Sequence, residues 1–202
     1  MQTYKISREW LNRMGLIFFF LLGSSAWFFY DGLVTYPRDN AIFIARENLE
    51  KTYPDDPVAL ESAWIKIADE NKYPLEKNDL PDHLKNIEGQ FKWGCGVLCA
   101  AVLFLLFVLR DSLRKIKNDE ESFTGITDRL APFATLTTVK YKDVIGFDKA
   151  RWDKKGIAKI IYKTSPDAPH RFVLVDDYKY SGSEDILKRC ETVVEQKNAA
   201  KR

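Results

Sequence analysis

The chain is poor in the residues that carry chemistry. Among 202 residues there are two histidines and three cysteines. A serine-histidine-aspartate relay would have to form round His83 or His170, and no G-x-S-x-G elbow is present to expose a serine. H-E-x-x-H, C-x-x-C, the Walker phosphate loop and G-x-G-x-x-G are absent as well. Cys95 and Cys99 stand one helical turn apart, but two thiols in an apolar run lack the further ligands that zinc requires. With Cys190 in an amphipathic stretch, no disulfide framework is indicated, and all three cysteines read as small buried hydrophobes. Asp176 and Asp177 are adjacent; strand neighbours point to opposite faces, so a structural or solvated role is expected in place of metal binding. No catalytic residue, cofactor or metal is expected, and the chain does not read as an enzyme.

Charge is balanced overall, at 31 basic against 29 acidic residues, but not along the chain. Residues 1–13 carry net +2, residues 37–92 net −4, and residues 110–202 net +5. The acidic middle lies between two long apolar runs, and both basic segments lie outside them.

The first run, 14–36, is uncharged from Met14 to Tyr30 and continues past Asp31 until Pro37 is expected to stop it. About 20 apolar residues cross a hydrocarbon core, a length reached here if Asp31 lies at the far interface beside Trp27, Tyr30 and Tyr36. A cleaved signal peptide is the alternative, with Lys5, Arg8 and Arg13 as its basic region and small residues at Ser24 and Ala26. Apolarity continuing through Trp27, Phe28 and Phe29 favours an uncleaved anchor. The second run, 93–110, is bracketed by Lys92 and Arg110, and its helix should extend past both ends. Arg110, Arg114, Lys115 and Lys117 crowd its exit. The positive-inside rule then places 1–13 and the C-terminal part in the cytosol and 37–92 outside, a multi-pass hairpin in an inner membrane. Gly23 and Ala26 on one span, with Gly96 and Ala100 on the other, are the expected packing patches; they equally permit a homo-oligomer.

Residues 37–92 carry helical patterning. Asp56-Pro57 starts a helix that runs to about Asn71. Pro81 is expected to begin another that continues into the second span. Trp64, Tyr53 and Tyr73 could form a binding surface, although a mini-core is the plainer reading.

Residues 111–121 read as a charged helical extension and linker. From 122 to 196 short strands alternate with turns: 122–127, 133–141, 144–147, 157–164 and 170–175, with a polar turn at 148–156. Ser181 and Glu184 have capping-box spacing, and Ile186, Leu187, Cys190, Val193 and Val194 stripe a last helix before a tail at 197–202. The expected fold is therefore a two-helix hairpin with a helical external segment and a small α+β domain.

The succession of Val144–Lys149, Trp152–Ile157, Phe172–Tyr178 and a closing helix resembles small bacterial pleckstrin-homology-like domains, which often sit on short membrane anchors. The four or five strands counted are fewer than the seven of a complete member. The resemblance implies binding or scaffolding and names no ligand. One surface stands out: Lys149, Arg151, Lys154 and Lys155 surround Trp152, suiting an anionic lipid headgroup or a partner protein. A solvated turn with Trp152 covering the core is the plainer alternative. No aromatic stacking row accompanies the charge, so nucleic acid is not expected. The expected role is a membrane-anchored scaffold or accessory protein. A small oligomeric transport or channel subunit is the alternative, disfavoured because only Ser24, Ser25 and the marginal Asp31 qualify as the buried polar or ionisable groups that line a pore.

Overall fold

The computed structural model describes residues 1–76, 79–127 and 134–200. They form two compact units, Phe18–Leu103 and a second made of Met1–Ile17 with Phe104–Arg202.

Helix α1 (Arg8–Tyr30) does not stop at Pro37. A π-helical turn at Asp31–Thr35 leads straight into α2 (Tyr36–Thr52), giving one unbroken helix from Arg8 to Thr52. The physical reason is local. Proline lacks an N–H and its ring crowds the carbonyl four residues back. Here the preceding turn is widened, with the Tyr36 N–H bonded to the Asp31 carbonyl five residues earlier, and Pro37 falls in the first turn of α2. Helix α3 (Pro57–Asn71) is capped by Asp56, whose side chain accepts from Ala59 N at 2.9 Å. Trp64, fully buried, closes a small core with Ile42 and Ala68, and stacks on Tyr73 at 6.2 Å. Tyr53 stays outside that core, at the surface.

The next helix does not begin at Pro81. Helix α4 (Ile87–Ser112) starts after Asn86, whose side chain accepts from Gly89 N at 2.9 Å, and then runs without interruption through the second apolar run. Both long helices are long and apolar enough to cross a membrane, and only 11% of the most apolar window of each is buried.

Within Phe18–Leu103, the two long helices meet through side chains other than the expected patches. Ser25 Oγ donates to the Gly94 carbonyl at 2.9 Å. Gly94 faces the Phe29 ring and Gly32 faces the Phe91 ring, each so closely that an added Cβ would stand 3.3 Å from ring carbon. Gly23, Ala26, Gly96 and Ala100 are all exposed, with nothing near the two glycines. Reading them as contact residues took small size for orientation; Gly23 and Gly96 lie on other faces of their helices.

The other unit is a seven-stranded antiparallel sheet with a C-terminal helix. Two strands come from segments read as a cytosolic N-terminus and a linker. β1 (Gln2–Tyr4) precedes the first long helix, β2 (Ile116–Asn118) follows the second, and they pair in register Gln2↔Asn118. Residues 111–121 thus contain the end of α4 and all of β2, joined and followed by short connections. β3 (Ser122–Thr127) pairs with β4 (Leu136–Lys140) along its length and with β7 (Arg171–Asp176) at its end. β5 (Val144–Arg151), β6 (Ile157–Tyr162) and β7 form a meander. Pro132 and Phe133, read as the approach to β4 and its first residue, lie outside the described residues.

Strand β6 alternates as its sequence indicates, with Ala158, Ile160 and Tyr162 inward. Helix α6 (Glu184–Ala199) closes that inner face with Ile186, Leu187 and Cys190, and Val193 and Val194 pack beside them. It extends three residues beyond 196. Its start also differs from the capping box: Ser183 caps without a side-chain bond, and the Glu184 amide donates to Asp177 Oδ1 at 3.0 Å. Gly182, at φ 87°, turns the chain into the helix and leaves Ser181 outside the first turn.

Candidate functional site

The polar segment 148–156 is more ordered than a loop. β5 continues to Arg151, a helical turn α5 (Trp152–Lys155) follows, and Gly156 ends it at φ 65°. An added Cβ there would stand 3.2 Å from Tyr178 N, so both conformation and space demand glycine.

The five residues expected to form a basic cluster divide into two sets. Trp152 is half-buried against the sheet core, and Lys149 pairs with Glu191 of α6. Asp148 Oδ1 accepts from Ala150 N at 2.8 Å, which fixes the bend before the turn. Arg151, Lys154 and Lys155 form no ion pair among the described residues, and Lys154 and Lys155 are exposed at the tip.

Arg151 also belongs to the sheet face that α6 leaves uncovered. Register places Arg151 opposite Ile157, Asp148 and Leu174 on either side of Lys159, and Gly146 and Phe172 on either side of Ile161. Asp148, Ala150, Arg151, Ile157, Lys159 and Leu174 line a cavity of about 210 Å³. The Lys159 ammonium lies 3.7 Å from the Phe172 ring centroid, and Phe172 is 40% exposed. The result is a mixed apolar and cationic face that offers planar contact and positive charge. Alternation along β6 puts Ile157, Lys159 and Ile161 on one face. What it did not supply was the pairing that brings Phe172 and Leu174 beside them.

A second cluster escaped sequence reading altogether. Asp111, 2% exposed near the end of α4, is bonded to Lys179, and lies 3.1 Å from Arg114 and 3.2 Å from Arg110. The Lys179 ammonium also lies 4.7 Å from the Trp10 ring centroid and 5.8 Å from that of Phe107. The Ser7 hydroxyl donates to the Tyr178 carbonyl at 2.8 Å. These contacts tie the first turn of α1 and the last turn of α4 to the β7–α6 loop. The cluster holds no nucleophile with an adjacent base, and its role is to clamp backbone elements. Sequence could not find it because Asp111 and Lys179 are 68 positions apart.

Asp176 and Asp177 serve the same loop. Asp176 Oδ1 accepts from Lys179 N at 2.9 Å, and Asp177 caps α6. Burial pushes the Asp176 carboxyl above its ordinary range, against the pull of the Lys179 amide. His83 lies beside Asp82, exposed, and His170 is exposed on the approach to β7. Among the described residues no group of three histidine, cysteine or carboxylate side chains could hold a metal ion. Comparison of the chain with protein-family models, curated proteins and solved structures finds no match.

Proposed function

We propose that the protein is a non-catalytic, membrane-anchored scaffold or accessory protein whose sheet domain binds an acidic surface, either anionic lipid headgroups or the acidic face of a partner protein. One observation carries this reading. The sheet is joined to the two apolar helices by three residues at each end, Lys5–Ser7 after β1 and Leu113–Lys115 before β2. Three residues reach at most about 10 Å. If the helices cross a membrane, the domain is held at its surface, with Lys5, Arg8, Arg13, Arg110, Arg114, Lys115 and Lys117 around the helix ends.

The apolar windows of both helices are almost wholly exposed, which suits lipid as their solvent and disfavours a soluble core. The positive-inside rule puts both termini in the cytosol. Tyr4 and Trp10 are buried in the sheet unit, which supports an anchor that is retained, because cleavage after Ala26 would remove them. Residues 122–196 hold five described strands and a closing helix, and β1 and β2 bring the sheet to the seven of a complete pleckstrin-homology-like member. That supports a binding module, with β1 and β2 drawn from outside residues 122–196.

Three unpaired basic residues near an anionic surface contribute about 1 kcal/mol each, and Arg151, Lys154 and Lys155 supply them. The test uses the full chain in nanodiscs with and without anionic lipid, because a fragment from residue 118 would lack β1 and nearly all of β2. Hydrogen exchange of residues 145–160 should slow in anionic discs, and an Arg151→Glu/Lys154→Glu/Lys155→Glu variant should lose that slowing. If lipid has no effect but a stoichiometric protein co-purifies with wild type and not with the variant, the acidic surface is a protein. A face indifferent to both would end the proposal.

A further inference from the structure

The unit Phe18–Leu103 contains a cavity with the charge pattern of a zwitterionic headgroup. It measures about 510 Å³ and is lined by Tyr30, Val34, Thr35, Arg38, Asp39, Ile42, Lys72, Tyr73, Pro74 and Asp79. Two cations and two carboxylates therefore share one cavity wall with aromatic and aliphatic groups. Among the described residues none of Arg38, Asp39, Lys72 and Asp79 enters an ion pair, although surface pairs form elsewhere in the same unit, such as Arg46 with Glu61. Arg38 donates to the Lys72 carbonyl at 3.1 Å, and guanidinium carries five N–H donors. Lys72 is held there by a left-handed backbone, φ 57°, found at no other non-glycine among the described residues. The π-helical turn at Asp31–Thr35 widens the helix just where Val34 and Thr35 meet the cavity.

Position along the chain narrows the occupant. Counting from Met14, the first uncharged residue of the run, about 20 residues of helix cross a hydrocarbon core of roughly 30 Å and end near Leu33. Leu33 and Val34 are exposed and apolar, and Arg38 and Asp39 follow one turn later. The cavity thus begins where acyl chains would end and extends into the headgroup layer. A soluble zwitterion would have no use for the exposed Tyr30 and Val34 on the membrane side.

We infer that this cavity binds the phosphate–ammonium headgroup of an outer-leaflet phospholipid, with Arg38 and Lys72 toward the phosphate, Asp39 and Asp79 toward a primary ammonium, and Tyr30 and Val34 against the first acyl carbons. A primary ammonium donates three hydrogen bonds to carboxylates and a trimethylammonium donates none, so the carboxylates select phosphoethanolamine over phosphocholine. The inference rests on the membrane reading above.

The full chain in mild detergent is titrated with phosphatidylethanolamine, phosphatidylcholine and phosphatidylglycerol, and bound lipid is counted by native mass spectrometry. Phosphatidylethanolamine should be retained about tenfold better than the other two, the scale of one charge-assisted hydrogen bond. Asp39→Asn/Asp79→Asn should abolish the preference over phosphatidylcholine, and Arg38→Ala/Lys72→Ala should weaken every phospholipid. Helical content by circular dichroism shows whether each variant is folded, and Asp39→Asn alone serves if the double variant is not. Equal retention of the three lipids by wild type, or a preference that survives all variants, overturns the inference. Equal affinity for soluble glycerophosphoethanolamine would overturn the lipid as its source. Flotation of wild type with vesicles at high pH separates the two claims: protein that floats without lipid preference loses only this site, and protein left in solution loses the membrane reading as well.

Discussion

The two units bury their cores in contrasting ways. Fifteen buried side chains, drawn from seven strands, the Tyr141 and Tyr180 turns and α6, form one cluster in the sheet unit. In the unit Phe18–Leu103 three do so, Ile42, Trp64 and Ala68. A core spread over many strands tolerates the loss of one contributor, whereas a core of three depends on its largest member. Trp64 is that member. Its ring stacks on Tyr73, and the Arg46 guanidinium covers it at 5.5 Å. Trp64→Ala should give the largest effect, about 3–5 kcal/mol, as much as a unit of this size has to lose. Hydrogen exchange in a lipid disc should show α2 and α3 losing protection while β5–β7 keep theirs. Simultaneous loss in both would mean that the two cores are one cooperative system.

The sheet unit has its own concentrated point, which is electrostatic where that of the unit Phe18–Leu103 is aromatic. Asp111→Ala would remove the carboxylate that Lys179 and Arg114 share, in a site where the Lys179 side chain is 12% exposed and that of Arg114 15%. Breaking a buried pair on one side costs about 3–5 kcal/mol, whereas replacing both members by apolar groups is often neutral. Asp111→Ala should therefore lower the unfolding midpoint of the sheet unit sharply, and Asp111→Leu/Lys179→Met should recover most of the loss. If the double variant is as weak as the single one, the clamp acts through Arg114 and the loop, and not through the pair.

What could be read from the sequence divides along the same line. Periodicity found the long helices, α3, most strands of 122–176 and the buried stripe of α6, because each depends on residues close in sequence. Trp64 and Tyr73 as a mini-core were legible for the same reason. Pairing was not. Gln2-Thr3-Tyr4 becomes a strand only because Ile116–Asn118 lies opposite it, and the clamp joins Asp111 to a residue far along the chain. Helix rotation was equally hidden: Gly23 and Gly96 have the right composition for close packing, yet Ser25, Gly32 and Gly94 make the contact. Pro37 misled because a proline ends most helices, and a single widened turn upstream accommodated it. In the basic cluster, residue type found Arg151, Lys154 and Lys155, but only the fold showed Lys149 engaged by Glu191.

Smaller effects should separate the cores by pH. Cys190 is completely buried on the inner face of α6, and burial pushes its thiol up to about 12 from an ordinary 9.0. Burial likewise moves the Tyr180 hydroxyl up to about 12. In the unfolded chain both groups ionise first, so unfolding releases protons and stability falls as pH rises from about 9 toward 12. The decline should reach about 1 kcal/mol per pH unit for each group. Denaturant midpoints of the sheet unit at pH 8 and 10.5 should therefore diverge, and Cys190→Val should narrow the gap. An unchanged gap would show that the thiol is not the group responsible. The core of Ile42, Trp64 and Ala68 holds no cysteine, so protection of α3 should not follow the Cys190 substitution.

The smallest expected effect lies in acid, at the turn joining β2 to β3. Asp119 Oδ1 accepts from Ser122 N at 2.6 Å and Glu121 N at 3.0 Å. The Ser122 amide, followed by that of Glu121, holds the carboxyl below its ordinary range. A depressed native pKa means that the unfolded state takes up the proton first as pH falls. The stabilisation is therefore complete above the unfolded value of about 4 and is lost as pH drops through the native one. Wild type should lose part of its sheet stability between pH 5 and 2, and Asp119→Asn should be weaker at pH 7 but flatter across that range. Because β2 continues from the clamped end of α4, the same substitution should also speed hydrogen exchange in β1, its partner strand. Exchange in β1 unmoved by Asp119→Asn would show that the Asp111 clamp alone holds the two strands in register.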